Sequence, residues 1–321
     1  MALKMVYTDA HTLNPGDLSW AKLEALGDLK LYEYSEAEGL EKRVQDAEVL
    51  LVNKTPITAD LLSKLPALRC ICVTATGYNN VDLAAAKERG IPVCNAVGYS
   101  TPAVVQHVFA LLFAMTNGVE RHNQWVKAGD WANQVHFAFW LQPLVELQGK
   151  TLGIYGFGRI GQALAQVALA FGMKVIANHK HPERDARPGL RFVDLDTLFE
   201  ESDVVSLHAP LSAANLEIVN KTLLGKMKKT AYLINTGRGG LIHEQDLYDC
   251  LKAQGIAGAA LDVLNQEPPV ANHPLLNLDN CWVTPHHAWA SQEARQRLMD
   301  ITVENVKQFL EGKPQNVVNG L

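Results

Sequence analysis

The sequence predicts an α/β protein whose two domains each contain a parallel β-sheet covered by helices. Short apolar segments typical of strands alternate with helical segments along the whole chain, and this alternation favours parallel sheets. The series restarts at Lys150 after one long helical segment, and a chain of 321 residues is long enough for about two domains. The predicted domains are residues 1–99 together with 290–321, and residues 100–289.

The first predicted domain begins with the strand-like segment KMVYT. A helix is predicted from Asp17 to Leu26, because Pro15, Gly16 and Asp17 are start signals for a helix. The segments KLYEY, AEVLLV, RCICVTA and IPVCN predict further strands, with helices between them. A last helix, from about Ala288 to Leu310, returns the chain to this domain.

The second predicted domain opens with one long helix over residues 100–128. Ser100 or Thr101 is suited to cap it, and Pro102 suits its first turn. Six strands are predicted after it, with helical segments between most of them: TLGIYG, KVIAN, DVVSLH, AYLINT, IAGAALDV and CWVTP.

Composition and charge indicate an ordinary globular protein. The chain is 48% hydrophobic and has a net charge of −5, so neither a nucleic-acid nor a membrane partner is expected. The longest apolar segment is interrupted by Gln106 and His107, and the N-terminus does not resemble a signal peptide. No metal site is predicted, and reduced thiols in the cytoplasm are expected for the five cysteines: Cys70, Cys72, Cys94, Cys250 and Cys281.

A glycine-rich segment, GFGRIG, follows the strand TLGIYG and opens an amphipathic helix. Gly156, Gly158 and Gly161 have the spacing G-x-G-x-x-G, and this strand-to-helix context is the one that a dinucleotide-binding loop requires. Gly156 allows the tight turn, Gly158 lets the backbone approach a pyrophosphate, and Gly161 permits close packing of the helix. An ordinary glycine-rich turn is the alternative.

The second strand of this domain lacks the acid that usually binds the adenosine ribose. Asn178 or His179 stands in its place, and Lys180, His181, Arg184 and Arg187 follow. Without an acid, the 2′-phosphate of NADP meets no repulsion, and Lys180 is placed to pair with it. NADP is therefore allowed and favoured on this interpretation, while a solvated basic loop without a cofactor role is the alternative.

Polar residues follow the later strands at the edge where open α/β sheets bind ligands. They are Arg238, Asp262, Glu267 and the adjacent His286 and His287. An arginine can bind a carboxylate and polarise a neighbouring carbonyl, and a histidine beside a carboxylate can transfer a proton. Each residue also has a structural alternative, as a surface ion pair, a solvated acid or a polar group at the end of a strand. Their occurrence on consecutive loops of one sheet favours a reductase site.

The segments GKTLGIYGFGRIGQALA, INTGRGGLIHEQDL, ALDVLNQEPP and VTPHHAWAS resemble the signature segments of the D-isomer-specific 2-hydroxyacid dehydrogenases. Within that family, LNPGDLSW, VNKTPIT, ATGYNNVDLAAA and GYSTPAVVQHVFALL are similar to the bacterial glycerate dehydrogenase and hydroxypyruvate reductase group. The resemblance covers nearly the whole chain. It implies two Rossmann-like domains, of which the discontinuous substrate-binding domain is flavodoxin-like and the other binds NAD(P).

The resemblance also implies the roles of individual residues. Arg238, Glu267 and His286 are the expected catalytic residues, Arg238 also binds substrate, and His287 is expected to turn toward packing. The carboxylate of the substrate is expected to bind Ala75, Thr76 and Gly77, with Lys54 as an added cation or, alternatively, as a surface lysine. The expected cofactor-binding residues are Gly156, Gly158, Arg159, Ile160, Gly161, His179, Lys180, His208, Ala209, Pro210, Thr236, Gly237 and Asp262.

The expected function is an NAD(P)-dependent reductase of hydroxypyruvate or glyoxylate. A dehydrogenase for another small acid, such as D-lactate, formate or phosphite, is one alternative, and an NAD(H)-sensing, corepressor-like binding protein is another. By resemblance a homodimer is also expected. The segment WANQVHFAFWLQP is a candidate for the dimer contact or for the mouth of the site, and core packing is its alternative role.

Overall fold

The computed structural model of the chain describes residues 2–321. The chain divides into two compact units. The first unit contains the residues up to Ser100 together with Trp289–Leu321, and the second contains Thr101–Ala288.

The first unit is built on a five-stranded sheet in which all strands are parallel, in the order β2-β1-β3-β4-β5. This is the flavodoxin-like order that was expected. The central strands are buried along their whole length, as the apolar runs VLLV and CICV predict for a parallel sheet. The strands are β1 Lys4–Tyr7, β2 Asp28–Leu31, β3 Val49–Val52, β4 Cys70–Val73 and β5 Val93–Cys94. The helices are α1 Ala21–Glu24, α2 Leu40–Val44, α3 Ala59–Ser63, α4 Leu83–Glu88 and α11 Gln292–Leu310, with a short 3₁₀ helix at Ala10–Thr12.

The helix predicted from Asp17 to Leu26 is wrong for its first half, since only Ala21–Glu24 is helical. The side chain of Asn14 accepts from the N–H groups of Gly16 and Leu18 at 2.9 Å each and so holds a turn there. The carboxylate of Asp17 binds the Arg295 guanidinium with two contacts of 2.6 Å. Local side-chain bonds of this kind compete with the helix.

Two other boundaries in this unit also differ from the prediction. Strand β2 covers Asp28–Leu31, so it begins two residues before the predicted segment KLYEY and shares only Lys30 and Leu31 with it, because its register is set by pairing Lys4 with Asp28 at the edge of the sheet. The last helix begins at Gln292 and not near Ala288, because the Ser291 hydroxyl accepts from the N–H of Ala294 and caps the helix at that point.

The second unit contains a seven-stranded parallel sheet in the order β12-β11-β10-β9-β6-β7-β8. The strand order reverses between β6 and β9, as in a Rossmann fold. The strands are β6 Thr151–Tyr155, β7 Lys174–Asn178, β8 Leu190–Phe192, β9 Val204–Leu207, β10 Tyr232–Asn235, β11 Gly258–Leu261 and β12 Cys281–Val283. The helices are α5 Thr101–Thr116, α6 Val119–Lys127, α7 Arg159–Ala170, α8 Leu195–Glu201, α9 Lys221–Leu224 and α10 Glu244–Lys252, with short 3₁₀ helices at Gly239–Leu241 and Pro274–Asn277.

Strand β8 was not predicted. It has three residues, LRF, and pairs only with β7 at the edge of the sheet. A segment this short, with a charged residue at its centre, carries no clear strand pattern, so the sequence predicted six strands where the structure has seven.

The single helix predicted over residues 100–128 is also wrong. It is two helices, α5 and α6, which meet at an angle of 54°. Gly118 adopts a left-handed conformation, with φ of +56°, and its N–H bonds back to the carbonyl of Phe113, which is a common way for a helix to end. Within residues 2–321 no single helix has the length and hydropathy to cross a membrane, and only this bent pair meets those criteria when its two helices are counted together.

Candidate active site

The ends of five strands bring the predicted site residues of the second unit to one edge of its sheet. Because all seven strands are parallel, the loops that follow β6, β9, β10, β11 and β12 leave the sheet on the same side. These loops carry, in that order, the glycine-rich segment, His208, Arg238, Glu267 and His286.

His286 and Glu267 form a short polar contact on this edge. Nδ1 of His286 lies 2.6 Å from Oε2 of Glu267. The other oxygen of Glu267 accepts from the N–H of Leu264 at 3.1 Å, which orients the carboxylate. With a proton on Nδ1 the ring donates to this carboxylate, so the bond orients the ring and fixes its tautomer.

The loop that carries His286 is held by Asp262, which is 1% exposed. One carboxylate oxygen accepts from the Thr284 hydroxyl at 2.6 Å and from the N–H of His287 at 3.0 Å, and the other accepts from the N–H of Ala288 at 2.9 Å. The carbonyl of Asp262 accepts from the N–H of His286 at 2.8 Å, and His286 has a left-handed φ of +50°. Asp262 was predicted as a cofactor contact only, so its bracing of this loop is new.

His287 points away from the bond that His286 makes. It is exposed, and its ring packs edge-on against that of His107 at 4.9 Å. His107 also lies 3.1 Å from the Thr284 hydroxyl, and burial lowers the pKa of His107 while the charge of Asp262 opposes this shift. Polar atoms of His107, Asp262 and His287 lie within 4.8 Å of one another. Asp262 accepts from the Thr284 hydroxyl and from the N–H groups of His287 and Ala288, so this group supports the loop.

Arg238 lies in a tight loop after β10. The side chain of Asn235, which is fully buried, accepts from the N–H of Gly237 at 3.0 Å and donates to the carbonyl of Arg238 at 2.8 Å. A β-carbon at Gly239 would collide with the backbone of Leu264, so glycine lets this loop pack against the loop that leads to Glu267. Asn235 and Gly239 were not predicted as site residues. A buried polar residue at the end of the apolar strand YLIN is the signal that indicates Asn235.

The glycine-rich segment has the geometry of a phosphate-binding loop. Gly156 has a φ of +94°, and a β-carbon there would collide with the backbone of Ala209. A β-carbon at Gly161 would lie 2.5 Å from the carbonyl oxygen of Gly156, whereas nothing lies within 4 Å of the corresponding position at Gly158. Helix α7 begins at Arg159, so the N–H groups of Arg159 and Ile160 belong to a helix N-terminus, which favours an anion.

Two buried polar atoms at the same edge fit a dinucleotide. Nδ1 of His208 and Oγ1 of Thr236 are buried without a hydrogen-bond partner among the residues that the structure describes. The other ring nitrogen of His208 contacts the Ser206 hydroxyl at 2.8 Å, and burial lowers the pKa of His208 to about 4, so the ring is neutral at pH 7. Buried polar groups without partners are uncommon, and a polar ligand passing Pro210 and Gly237 at the strand ends would satisfy them.

The β7–β8 loop contains its own acid. The side chain of Asn178 donates to the carbonyl of Val193 at 2.9 Å and so serves the fold. His179 lies 2.9 Å from a carboxylate oxygen of Asp185, and Lys180 is exposed. Asp185 had not been identified from the sequence, because it lies well beyond the end of β7.

The first unit carries the predicted carboxylate-binding residues at the ends of β3 and β4. The carbonyl of Ala75 accepts from the N–H of Ala96, and the Thr76 hydroxyl donates to the carbonyl of Ala96. Within residues 2–321, no backbone N–H of Ala75, Thr76 or Gly77 donates a hydrogen bond to the protein. Lys54 follows β3, the strand next to β4 in the sheet, and its side chain is exposed. The Asp9 carboxylate accepts from its backbone N–H.

Comparisons with known proteins identify the family of the chain. The profile of the family described as "D-isomer specific 2-hydroxyacid dehydrogenase, NAD binding domain" matches residues 109–288. A hydroxypyruvate reductase of Blautia hydrogenotrophica is 46% identical, over 99% of this chain and 100% of that protein. A glycerate dehydrogenase of Methylorubrum extorquens is 42% identical, over 99% of each chain.

A solved structure is also similar over nearly the whole length. It is the NADPH-dependent glyoxylate/hydroxypyruvate reductase of Sinorhizobium meliloti in complex with NADP and malonate, with 29% identity and a TM-score of 0.83, covering 98% of this chain and 96% of that one. The two parallel sheets, the dinucleotide-binding glycine loop and these full-length relatives lead to one assignment. The chain belongs to the D-isomer-specific 2-hydroxyacid dehydrogenases, which are NAD(P)-dependent oxidoreductases acting on CH–OH groups.

Proposed function

We propose that this chain reduces hydroxypyruvate and glyoxylate to D-glycerate and glycolate. The observation that carries the proposal is the 2.6 Å bond between His286 and Glu267 at the edge of the dinucleotide-binding sheet, because it provides an oriented proton donor for a carbonyl oxygen. The relatives named hydroxypyruvate reductase and glycerate dehydrogenase support the choice of substrate.

We propose that the second unit binds the cofactor and that the first unit binds the carboxylate of the substrate. The second unit, 101–288, binds NAD(P), with the N-terminus of α7 and the glycine loop receiving the pyrophosphate and Asp262 receiving the carboxamide. When bound, the reduced cofactor supplies a hydride. In the first unit, the backbone N–H groups of Ala75, Thr76 and Gly77 donate no hydrogen bond to the described residues of the protein, so they are suited to the substrate carboxylate. Lys54 adds positive charge.

Proton transfer is assigned to His286. The Nδ1–H donates to Glu267, so the proton for the carbonyl oxygen leaves from the other ring nitrogen, Nε2. The guanidinium of Arg238 binds the substrate and polarises the carbonyl, which favours negative charge on its oxygen before the proton arrives. After transfer, the ring is neutral and Glu267 keeps its tautomer for the reverse reaction.

A panel of 2-oxo acids assayed with NADH and NADPH tests the proposed substrates. Hydroxypyruvate and glyoxylate should be reduced with kcat/KM values about tenfold or more above those for bulkier acids such as phenylpyruvate, because a pocket discriminates by size. Chiral analysis of the glycerate should show the D enantiomer. Binding of both cofactors without reduction of any 2-oxo acid would indicate a nucleotide-sensing protein, and preferential turnover of pyruvate, formate or phosphite would contradict the substrate assignment.

We also propose that the protein is a homodimer and that the segment 131–140 lies at its contact. Core packing, the alternative for this segment, is wrong because Val135 is 95%, Phe137 93% and Trp140 67% exposed. Phe139 is half-buried and packs on Trp125. Exposed apolar patches of this kind mark interaction surfaces. We propose a second copy of the chain as the occupant, because the apolar patch continues onto α6, where Trp125 and Val126 are 41% and 42% exposed, and the same patch on two copies can form a symmetric interface.

The dimer proposal predicts that Phe137→Glu dissociates the protein. A charge placed in a buried apolar interface lacks a partner and lowers the affinity of the two copies. Sedimentation equilibrium should show a dimer for the parent and a monomer, or a much weaker dimer, for the variant. Tyr34→Glu is the control, because Tyr34 is 69% exposed and lies in the first unit. A monomeric parent, or a variant that dimerises as the parent does, would contradict the proposal.

The five thiols support a reducing compartment, and we propose that the protein is cytoplasmic. All five cysteines are free, and three of them are buried. Sγ of Cys70 lies 4.0 Å from Sγ of Cys72, and a chain with five thiols suits a compartment that keeps thiols reduced.

A further inference from the structure

The β7–β8 loop holds a carboxylate in a pocket between an arginine and a histidine. Oδ2 of Asp185 lies 2.9 Å from Nε2 of His179, and it accepts from Nη2 and Nε of Arg184 at 2.7 and 3.1 Å. The side chains of Asp185 and His179 are only 12% and 13% exposed. The guanidinium of Arg184, followed by the imidazole of His179, holds the pKa of Asp185 below its usual value. The pocket therefore contains a full negative charge at neutral pH.

This pocket lies against the glycine-rich loop. His179 directly follows β7, and its ring centroid is 6.3 Å from that of Phe157, which stands between Gly156 and Gly158. The guanidinium of Arg187 lies 5.2 Å from the centroid of the Phe157 ring and donates to the side chain of Gln162 in α7. In a Rossmann domain the end of this strand, beside the glycine loop, is where the adenosine ribose binds.

We propose that Asp185 determines the choice between NAD and NADP. Its carboxylate occupies the anion position between His179 and Arg184 that a 2′-phosphate would otherwise take. With NAD(H), Asp185 accepts from the ribose 2′-hydroxyl and so replaces the acid that is missing at the end of β7. With NADP(H), the 2′-phosphate has to displace Asp185 from Arg184 and His179. The inference rests on the proposed placement of the cofactor in the second unit.

The charges of Asp185 and of the 2′-phosphate explain why this one residue can determine the choice of cofactor. A 2′-phosphate carries about −1.5 to −2 charges at pH 7, so it repels a fixed carboxylate and attracts the same guanidinium and imidazole. Asn at position 185 keeps the shape of the side chain and removes its charge. His179 and Arg184 then lose their internal partner and become available to the phosphate, together with the exposed Lys180.

Equilibrium binding of adenosine fragments tests the proposal without turnover. Calorimetric titration of the full-length protein with 2′,5′-ADP and with 5′-AMP isolates the contribution of the 2′-phosphate. In Asp185→Asn, 2′,5′-ADP should bind about tenfold more tightly, because a hydrogen bond to a charged group contributes about 1.5 kcal/mol. The affinity for 5′-AMP should stay the same or fall. The Kd values of NADPH and NADH, followed by fluorescence, should change in the same directions.

Two further variants keep the outcome decisive. Glu183→Gln removes one negative charge from an exposed position in the same loop and should leave the ratio of the two affinities unchanged. Arg184→Ala removes a partner that the phosphate needs and should weaken 2′,5′-ADP selectively. An unchanged ratio in Asp185→Asn, with both fragments still binding, would overturn the role of Asp185 alone. If neither fragment binds the parent protein, the placement of the cofactor fails and this inference fails with it.

Discussion

Substitution of His286 by Asn is expected to lower kcat/KM for 2-oxo acid reduction by about 10²–10⁴-fold, the usual contribution of general acid–base catalysis. The same change at His287 should leave most of the activity. Asn keeps much of the polar surface of the ring but cannot exchange a proton at neutral pH, so the loss measures proton transfer.

The contacts of the two rings explain why adjacent histidines should behave so differently. His286 contacts the Glu267 carboxylate at 2.6 Å, whereas the His287 ring packs on His107 and only its backbone N–H bonds to Asp262. That backbone bond survives in His287→Asn, so the loop should keep its shape. Steady-state kinetics on both variants, with the Kd of NADH measured in parallel, separates a lost proton donor from a disturbed cofactor site. An active His286→Asn enzyme would refute the assignment, and equal losses in both variants would point to the loop as a whole.

Arg238→Lys is expected to lower kcat/KM. The corresponding activation free energy should rise by about 2–4 kcal/mol, by analogy with buried charge pairs that lose a partner. Lysine keeps the positive charge but lacks the planar pair of donors that binds a carboxylate and polarises a carbonyl together. The side chain of Asn235 bonds to the backbone of Gly237 and Arg238, and the Arg238 guanidinium adds one bond of 2.8 Å to the carbonyl of Gly237, so the loop keeps its Asn235 anchor when the guanidinium is replaced. The cofactor affinity should therefore be nearly unchanged, and the loss should appear in the reaction with the 2-oxo acid.

The matched control for this prediction is Arg191→Lys. Arg191 is exposed, pairs with Glu201 and lies on the edge strand β8, so the same chemical change there should have little effect. Comparison of kcat/KM for glyoxylate and of the Kd for NADPH in the two variants completes the test. Kinetics like those of the parent in Arg238→Lys would exclude the proposed role, and an equal loss of cofactor affinity would place Arg238 in the cofactor site.

The sequence predicted the architecture well where one pattern dominated. The apolar runs VLLV and CICV lie in fully buried strands, and GFGRIG stands between a strand and a helix as its spacing requires. The prediction from sequence was wrong where contacts with distant residues determine the local structure. The turn before α1 depends on Asp17 meeting Arg295, and the short strand β8 exists only because it pairs with β7.

The candidate site shows the same division. The resemblance identified His286 and Glu267, but only the structure shows that Glu267 is oriented by the N–H of Leu264. The absence of an acid after β7 was read from the sequence, whereas the carboxylate of Asp185 is brought to His179 by the course of a loop. Spacing along a chain indicates which residues share a strand end, and it does not determine where the side chains of an irregular loop meet.

Asp262 has a consequence for anyone who redesigns this enzyme. Its carboxylate anchors the backbone of the segment that presents His286, and it is also the proposed contact of the nicotinamide carboxamide. A substitution there that is meant to tune cofactor affinity will also move His286, the proposed proton donor, so the two properties cannot be optimised separately at that position. The side chains of the β7–β8 loop bond to one another and to Gln162 in α7 and, in the described part of the chain, not to the segment that carries His286. Coenzyme preference is therefore better engineered from that loop, where changes leave His286 in place.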